Sequence, residues 1–136
     1  MKIAVIYRSM TGHSKKIAKA VSAALGTEAL DIKKKPVLEG VDLVFIAGGI
    51  YGGKSLNGMI DYIKTLSPSN AKSAVLLTSS ASDKTGQNEV REILTLSGIS
   101  VSEKEYRCKG GFLLFKFGHP DKNEIAAAAE FAKTFL

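Results

Sequence analysis

The sequence predicts an α/β fold in which a parallel sheet carries helices on both faces. Three observations support this. A length of 136 residues suits one domain with one core. Its strand-like segments are mostly continuous apolar runs, which are typical of strands buried on both faces. Stretches with helical spacing separate these runs, and this alternation is typical of parallel sheets. We therefore expect one domain over residues 1–136.

The first two strands and the first helix lie in the first quarter of the chain. Residues 2–7 form an apolar run with β-branched side chains and predict a buried strand. Residues 13–25 carry apolar side chains at helical spacing, with lysines on the opposite face, and Gly26 is a suitable helix stop. Residues 27–32 predict a short second strand, which the segment 33–36 breaks.

The remaining elements follow the same alternation. Residues 41–47 predict a third strand, which Gly48 and Gly49 follow, and residues 56–66 predict a helix. Residues 73–78 predict a fourth strand and 87–97 another helix. Residues 99–106 alternate more, as expected of a fifth, edge strand. Asp121 is a suitable N-cap for a last helix over 122–136.

Composition excludes several classes of protein. The single cysteine, Cys108, cannot form an internal disulfide, and it fits a reducing, cytoplasmic location. His13 and His119 lie too far from each other and from Cys108 to suggest a metal cluster. No stretch approaches the roughly 18 apolar residues of a membrane helix. We expect no membrane association.

The net charge of +6 is concentrated in the first half of the chain. Residues 1–68 hold ten Lys and Arg against five Asp and Glu. This excess favours anionic ligands or acidic partners, although a solvated basic surface without a specific partner explains it as well. Residues 33–35 are three lysines with no interleaved aromatic residue, so we expect no nucleic-acid binding.

The segment 9–14 is the strongest functional signal. It holds three hydroxyl side chains and Gly12 between the first strand and the first helix. A helix start offers unpaired N–H groups and the positive end of the helix dipole, which suit a phosphate. Small-residue loops also follow the third and fourth strands, at the same predicted edge of the sheet. Neither a P-loop nor a dinucleotide-binding fingerprint is present.

At these residues the chain resembles the flavodoxin family, and the resemblance covers essentially the whole chain. The segment Ser-Met-Thr-Gly-His-Ser is similar to the T/S-x-T-G-x-T/S loop that holds the phosphate of FMN in that family. The resemblance implies a doubly wound, five-stranded parallel sheet of order 2-1-3-4-5. It also implies that the loop after the third strand flanks the flavin ring and that the loop after the fourth strand, the third loop, reaches its pyrimidine edge. The implied FMN-binding residues are Ser9, Met10, Thr11, Gly12, His13, Ser14, Gly49, Ile50, Tyr51, Gly52, Gly53, Ser79, Ser80, Ala81 and Ser82.

Three features depart from the family pattern. The third loop has no aromatic residue that would stack on the flavin, so one face of the ring is expected to be open. Three phenylalanines at 112, 115 and 117 would cover the flavin, form a dimer or partner patch, or pack on the sheet edge. Arg8 lies beside the phosphate loop, where flavodoxins usually avoid cations. Its side chain either stays beside the loop or points away and pairs with an acid.

Neighbouring carboxylates such as Glu103 and Glu105 are expected to be exposed.

The resemblance leaves three functions open. The first is a low-potential electron carrier with FMN, working as a monomer or weak homodimer with a reductase and an electron acceptor that are acidic. The second is a flavin-dependent oxidoreductase, such as a quinone reductase or a protoporphyrinogen dehydrogenase-like enzyme. The third is a non-redox module that keeps the fold and lacks FMN. No catalytic residue and no metal ligand is expected.

Overall fold

A computed structural model describes residues 1–10, 12–51, 54–80, 86–109 and 122–136. The strands are β1 (Ile3–Arg8), β2 (Ala29–Asp31), β3 (Val41–Tyr51), β4 (Lys54–Ser55), β5 (Ala71–Ser80), β6 (Ser100–Val101) and β7 (Tyr106–Lys109). The helices are α1 (His13–Leu25), α2 (Asn57–Ile63), α3 (Asn88–Leu96) and α4 (Lys122–Lys133), and a single 3-10 turn (Ile32–Lys34) follows β2. None of the helices in these ranges is long and apolar enough to cross a membrane.

The sheet has the predicted parallel order. The sequence of neighbours is β2-β1-β3-β5, and both β6 and β7 pair with the outer edge of β5. Thus β5 occupies the predicted fourth position, and β6 and β7 share the fifth. The short strand β4 pairs antiparallel with the end of β3. Because strand order reverses between β1 and β3, a crevice is expected at the carboxyl ends of these strands.

Two helical layers bury the two faces of the sheet. Side chains alternate along each strand, so Val5 and Phe45 face α1 and α4 while Ile6 and Ile46 face α2 and α3. All four of these side chains are fully buried. The continuous apolar runs in the sequence follow from this double coverage.

Strand β3 is longer than predicted. The sequence suggested that it ends at Ala47, because two glycines follow. In the structure the strand continues to Tyr51, with Gly48 and Gly49 paired to Thr78 and Ser79 of β5. The neighbouring strand supplies hydrogen-bond partners that override the weak strand propensity of glycine.

The edge strand differs in another way: it is divided into β6 and β7. From Val101 to Tyr106 it advances five residues, while β5 advances only from Ala74 to Leu77. The two extra residues form a bulge between the segments, as is common at sheet edges. The predicted strand over 99–106 therefore covers β6 and the bulge, and only the first residue of β7.

Candidate functional site

The carboxyl ends of β1, β3 and β5 lie side by side, so the predicted loops leave one edge of the sheet together. In the strand register, Arg8 is opposite Gly48, which is in turn opposite Thr78. The three small-residue segments, which we call the first (residues 9–14), the second (48–54) and the third (78–82), therefore begin at the ends of adjacent strands. This is the edge at which ligands bind in open parallel sheets.

The start of α1 is open to an anion. Gly12 is its N-cap, with a left-handed φ of 89°, and its N–H donates to Ser9 Oγ at 2.8 Å. The helix has no side-chain cap and no acidic residue in its first turn. Among the described residues, apart from its chain neighbours and the backbone of its own helix turn, no atom lies within 4 Å of the position that a Cβ at Gly12 would occupy. The first N–H groups of a helix lack partners within it, so these residues fit a phosphate group.

Two hydroxyls connect the first segment to the third. Ser14 Oγ lies 3.2 Å from Ser79 Oγ, and both residues are buried. The first turn of α1 is thereby held against the end of β5. His13, the first residue of α1, is half-buried. Its pKa is lowered, first by burial and then by the charge of Lys16.

The second segment forms the end of β3 and its hairpin with β4. Tyr51 pairs with Lys54, and its ring folds back over Gly49. A Cβ at Gly49 would lie 2.6 Å from Tyr51 Oη, so this approach requires glycine. Ile50 is buried and pairs with Ser55 of β4. Tyr51, at the end of β3, is a half-buried aromatic residue of this edge.

Some of the predicted residues lie outside the part of the chain that the structure describes. In the third segment Ser79 and Ser80 are buried at the end of β5. Those outside the described residues are Thr11, Gly52, Gly53, Ala81, Ser82, Phe112, Phe115, Phe117, His119 and Asp121. Cys108 is buried in β7 among the side chains that face α4.

A buried polar network lies directly beneath the third segment, and the sequence did not reveal it. Glu105, expected to be exposed, has a side chain that is only 1% exposed. Its Oε2 accepts from Thr78 Oγ1 at 2.6 Å and from the N–H of Gln87 at 3.0 Å. Its Oε1 accepts from Arg91 Nη2 at 3.0 Å, and Arg107 Nε is 3.6 Å from Oε2. The expectation for Glu105 was wrong because the edge bulge turns it inward.

Gln87 extends this network into the centre of the sheet. Its side chain is fully buried, and Nε2 donates to the carbonyls of Ile46 and Leu77 at 3.1 Å each. Gln87 Oε1 is buried and faces Gly48, and it has no hydrogen-bond partner in the part of the chain that the structure describes. A Cβ at Gly48 would lie 3.0 Å from Gln87 Cδ, so glycine is required there. The segment Gly86-Gln87 before a helix was the one available signal, and it is weak.

Arg8 points away from α1, as one of the two alternatives supposed. Its Nε would be 3.1 Å from a Cβ at Gly58 in α2, on the other face of the sheet. Its Nη1 donates to the carbonyl of Ser9 at 3.1 Å. The acid expected to pair with it does not occur among the described residues, where Arg8 forms no ion pair. Within the same ranges no cluster of metal-ligating side chains occurs.

Comparisons with known proteins identify a relative in sequence and chains of the same fold. An uncharacterized protein of Methanocaldococcus jannaschii is 30% identical over 149 aligned positions, covering 100% of this chain and 99% of that protein. A flavodoxin from the domain Archaea has a similar structure, with a TM-score of 0.74 at 16% identity over 98% of each chain. The flavodoxin of Streptococcus pneumoniae gives a TM-score of 0.72 at 14% identity over 98% of this chain and 96% of that one.

The same fold occurs as part of a larger enzyme. The rubredoxin oxygen:oxidoreductase of Desulfovibrio gigas gives a TM-score of 0.69 at 16% identity, covering 98% of this chain and 34% of that one. At these identities the structural likeness shows the fold alone. A family model described as the flavodoxin domain matches residues 4–133. Since that match spans nearly the whole chain, the protein belongs to the flavodoxin family.

Proposed function

We propose that this protein binds FMN at the carboxyl edge of its sheet and carries electrons between partner proteins. The observation that supports FMN most directly is the uncapped start of α1, where Gly12 leaves open space and no acid lies in the first turn. A doubly charged phosphate is stabilised there by N–H donors and the helix dipole. Neutral hydroxyls in the first segment add donors without adding charge.

The chain's own residues would bind and orient the flavin. The N–H groups at the start of α1 and the hydroxyls of the first segment would hold the phosphate. Backbone at Gly49 and Ile50 and the Tyr51 ring would flank the ring system, and the end of β5 would face its polar edge. FMN supplies the redox chemistry, while the protein supplies position and electrostatics. Ser14 Oγ, which now faces Ser79, would keep the two flanking segments together.

Two features of this edge favour a carrier over an enzyme. Among the described residues, the hydroxyls there lie at strand and helix ends and are mostly buried. Among the described residues, the buried carboxylate close to the third segment is that of Glu105, and it is occupied by two arginines. Electron transfer needs no positioned acid or base. The partners we propose are a reductase and an acceptor with acidic surfaces, because the chain carries +6.

A flavin-dependent oxidoreductase remains a second candidate. The absence of an aromatic residue from the third segment, residues 78–82, favours it, because an open flavin face would admit a substrate. Steady-state oxidation of NADH or NADPH with a quinone acceptor separates the two functions. Turnover by the purified protein alone would favour the enzyme.

A matched pair of glycine variants tests FMN binding. Gly12 and Gly26 cap opposite ends of α1, both with left-handed φ and both with open space around an added Cβ. Alanine at either position is therefore expected to cost about 1 kcal/mol of unfolding free energy. Only Gly12→Ala places a methyl group in the phosphate space, so only this variant should lose FMN affinity, by roughly ten- to a hundredfold.

Fluorescence titration with FMN measures these affinities. Equal affinity of Gly12→Ala and Gly26→Ala for FMN would contradict phosphate binding at α1. An unaltered chain that binds no added FMN would instead favour the non-redox module.

A further inference from the structure

A cleft of about 670 Å³ lies between α2 and the segment 32–38, which we call the strap. It opens on the α2 face of the sheet, whereas the anion site lies at the start of α1 on the other face. None of the described residues assigned to FMN lines it. Its volume is in the range of clefts that bind small organic molecules.

The cleft exists because one crossover has no α-helix. The connections from β1 to β2, from β3 to β5 and from β5 to β6 carry α1, α2 and α3. The connection from β2 to β3 carries only the 3-10 turn (Ile32–Lys34) and the rest of the strap. A helix about 10 Å wide would fill the space beside α2, but an extended segment does not.

Side-chain hydrogen bonds from other parts of the chain hold the strap in place. Tyr62 Oη donates to the carbonyl of Pro36 at 2.6 Å, and Asn70 Nδ2 donates to the carbonyl of Leu38 at 2.8 Å. Lys35 is held with a left-handed φ of 49°, which is strained for a residue other than glycine. The wall of the cleft is therefore preformed, as in most small-molecule sites.

The lining combines an apolar floor with a cationic side. Ile32, Leu38 and Leu66 form the buried apolar part. Arg8, Lys33 and Lys35 also line the cleft, and Asp61 is the one acidic residue among the described residues of its lining. The cleft thus carries an excess of positive charge.

Arg8 is the cation best placed to fix an anion. Only Nη1 has a protein acceptor within the described ranges, the carbonyl of Ser9. A guanidinium has five N–H donors, so most of those of Arg8 remain for a ligand. Their planar arrangement matches the two oxygens of a carboxylate.

We propose that this cleft is a second ligand site, which binds a small organic anion with an apolar body. The body packs on Ile32, Leu38 and Leu66, and a carboxylate pairs with Arg8. This site is separate from the proposed flavin site and is compatible with FMN bound at the same time. Burial of the apolar body supplies affinity, and the charged pair supplies selectivity for anions.

A pair of rigid probes of equal shape tests the proposal. The ¹⁵N-labelled full chain, saturated with FMN, is titrated with 2-naphthoate and then with the neutral 2-naphthamide, and amide chemical shifts are followed. We expect 2-naphthoate to shift the amides of Leu38, Gly58, Tyr62 and Leu66. We expect 2-naphthamide to bind at least about tenfold more weakly, because it cannot form the charged pair.

Two charge-matched variants locate the anion. Arg8→Gln should reduce the affinity for 2-naphthoate to that for 2-naphthamide and leave the affinity for 2-naphthamide unchanged. Lys19→Gln removes an equal charge from the exposed side of α1 and should change neither affinity. If Arg8→Gln does not fold, the comparison of the two probes on the unaltered chain still decides.

Three results would overturn the proposal. The first is equal affinity for the two probes. The second is chemical shift changes confined to residues 9–14 and 48–51. The third is no chemical shift change up to about 10 mM probe, which would mean an affinity too weak for a specific site. The same titration on the chain without FMN shows whether the cleft binds the probes independently of FMN. Shifts at the cleft in a chain that binds no FMN would support the second site alone.

Discussion

At the scale of single residues, His13 reports on what occupies the start of α1. Burial and the charge of Lys16 lower its pKa below the ordinary histidine value of about 6.5. The unfolded chain therefore binds a proton more readily than the native chain. Native stability from this residue is present above the unfolded pKa and is lost as the pH falls through the window down to the lowered value.

Phosphate binding beside His13 should reverse this shift. A dianion near the imidazole favours its charged form, so we expect FMN to raise the pKa of His13. Proton NMR titration of the His13 ring with and without saturating FMN measures the change. Riboflavin is the control, because it has the same ring system but no phosphate, and it should leave the pKa low. An equal rise with riboflavin would place the phosphate away from α1.

At the scale of elements, Glu105 joins three parts of the fold. Its carboxylate accepts from Thr78 at the end of β5 and from Gln87 at the start of α3, and it pairs with Arg107 of β7. The bulge that divides the edge strand turns this side chain inward. The end of β5, from which the third segment leaves, is therefore held by a contact formed at the edge of the sheet.

Replacement of this carboxylate should loosen all three elements. Glu105→Gln removes the charge and turns an amide donor toward groups that are already donors, so we expect a loss of about 1–3 kcal/mol of unfolding free energy. Both arginines are partly exposed and can recover hydration, which limits the loss. Urea unfolding measures it. Glu103→Gln, at an exposed neighbour, should change stability by less than about 0.5 kcal/mol, and similar losses in both variants would argue against the network.

At the scale of the whole molecule, the net charge of +6 is expected to change the reduction potential of bound FMN. A positive field stabilises an anionic, reduced flavin, so the potential of the second electron should be less negative than in an acidic carrier of the same fold. Lys54, exposed in the hairpin beside Tyr51, is a cation close to the proposed ring site.

Salt should therefore make that potential more negative. Raising the ionic strength from about 0.01 to 0.5 M screens the favourable field, and we expect a fall on the order of 20 mV, or ~0.5 kcal/mol for one electron. Potentiometric titration of the FMN-loaded protein measures it. Lys54→Gln should reduce the salt effect more than Lys19→Gln on α1, and a rise with salt would contradict a positive field at the flavin.

The sequence alone was sufficient for the architecture and for the meeting of the three small-residue segments at one edge of the sheet. Continuous apolar runs require a sheet covered on both faces, and helical spacing located α1 with the observed bounds (His13–Leu25). Gly12 after the first strand indicated the uncapped helix start. These features are local, because periodicity and turn chemistry depend on residues a few positions apart.

Only the tertiary structure decided the features that depend on distant partners. Glu105 meets Thr78 across 27 positions and Gln87 meets Ile46 across 41, and no local spacing distinguishes these side chains from exposed ones. Gly48 and Gly49 resemble a loop until β5 supplies their strand partners. The cleft under the strap likewise arises from Tyr62 and Asn70 bonding to carbonyls far along the chain. Burial and pairing between separate elements are properties of packing, so they become visible only when the chain is folded.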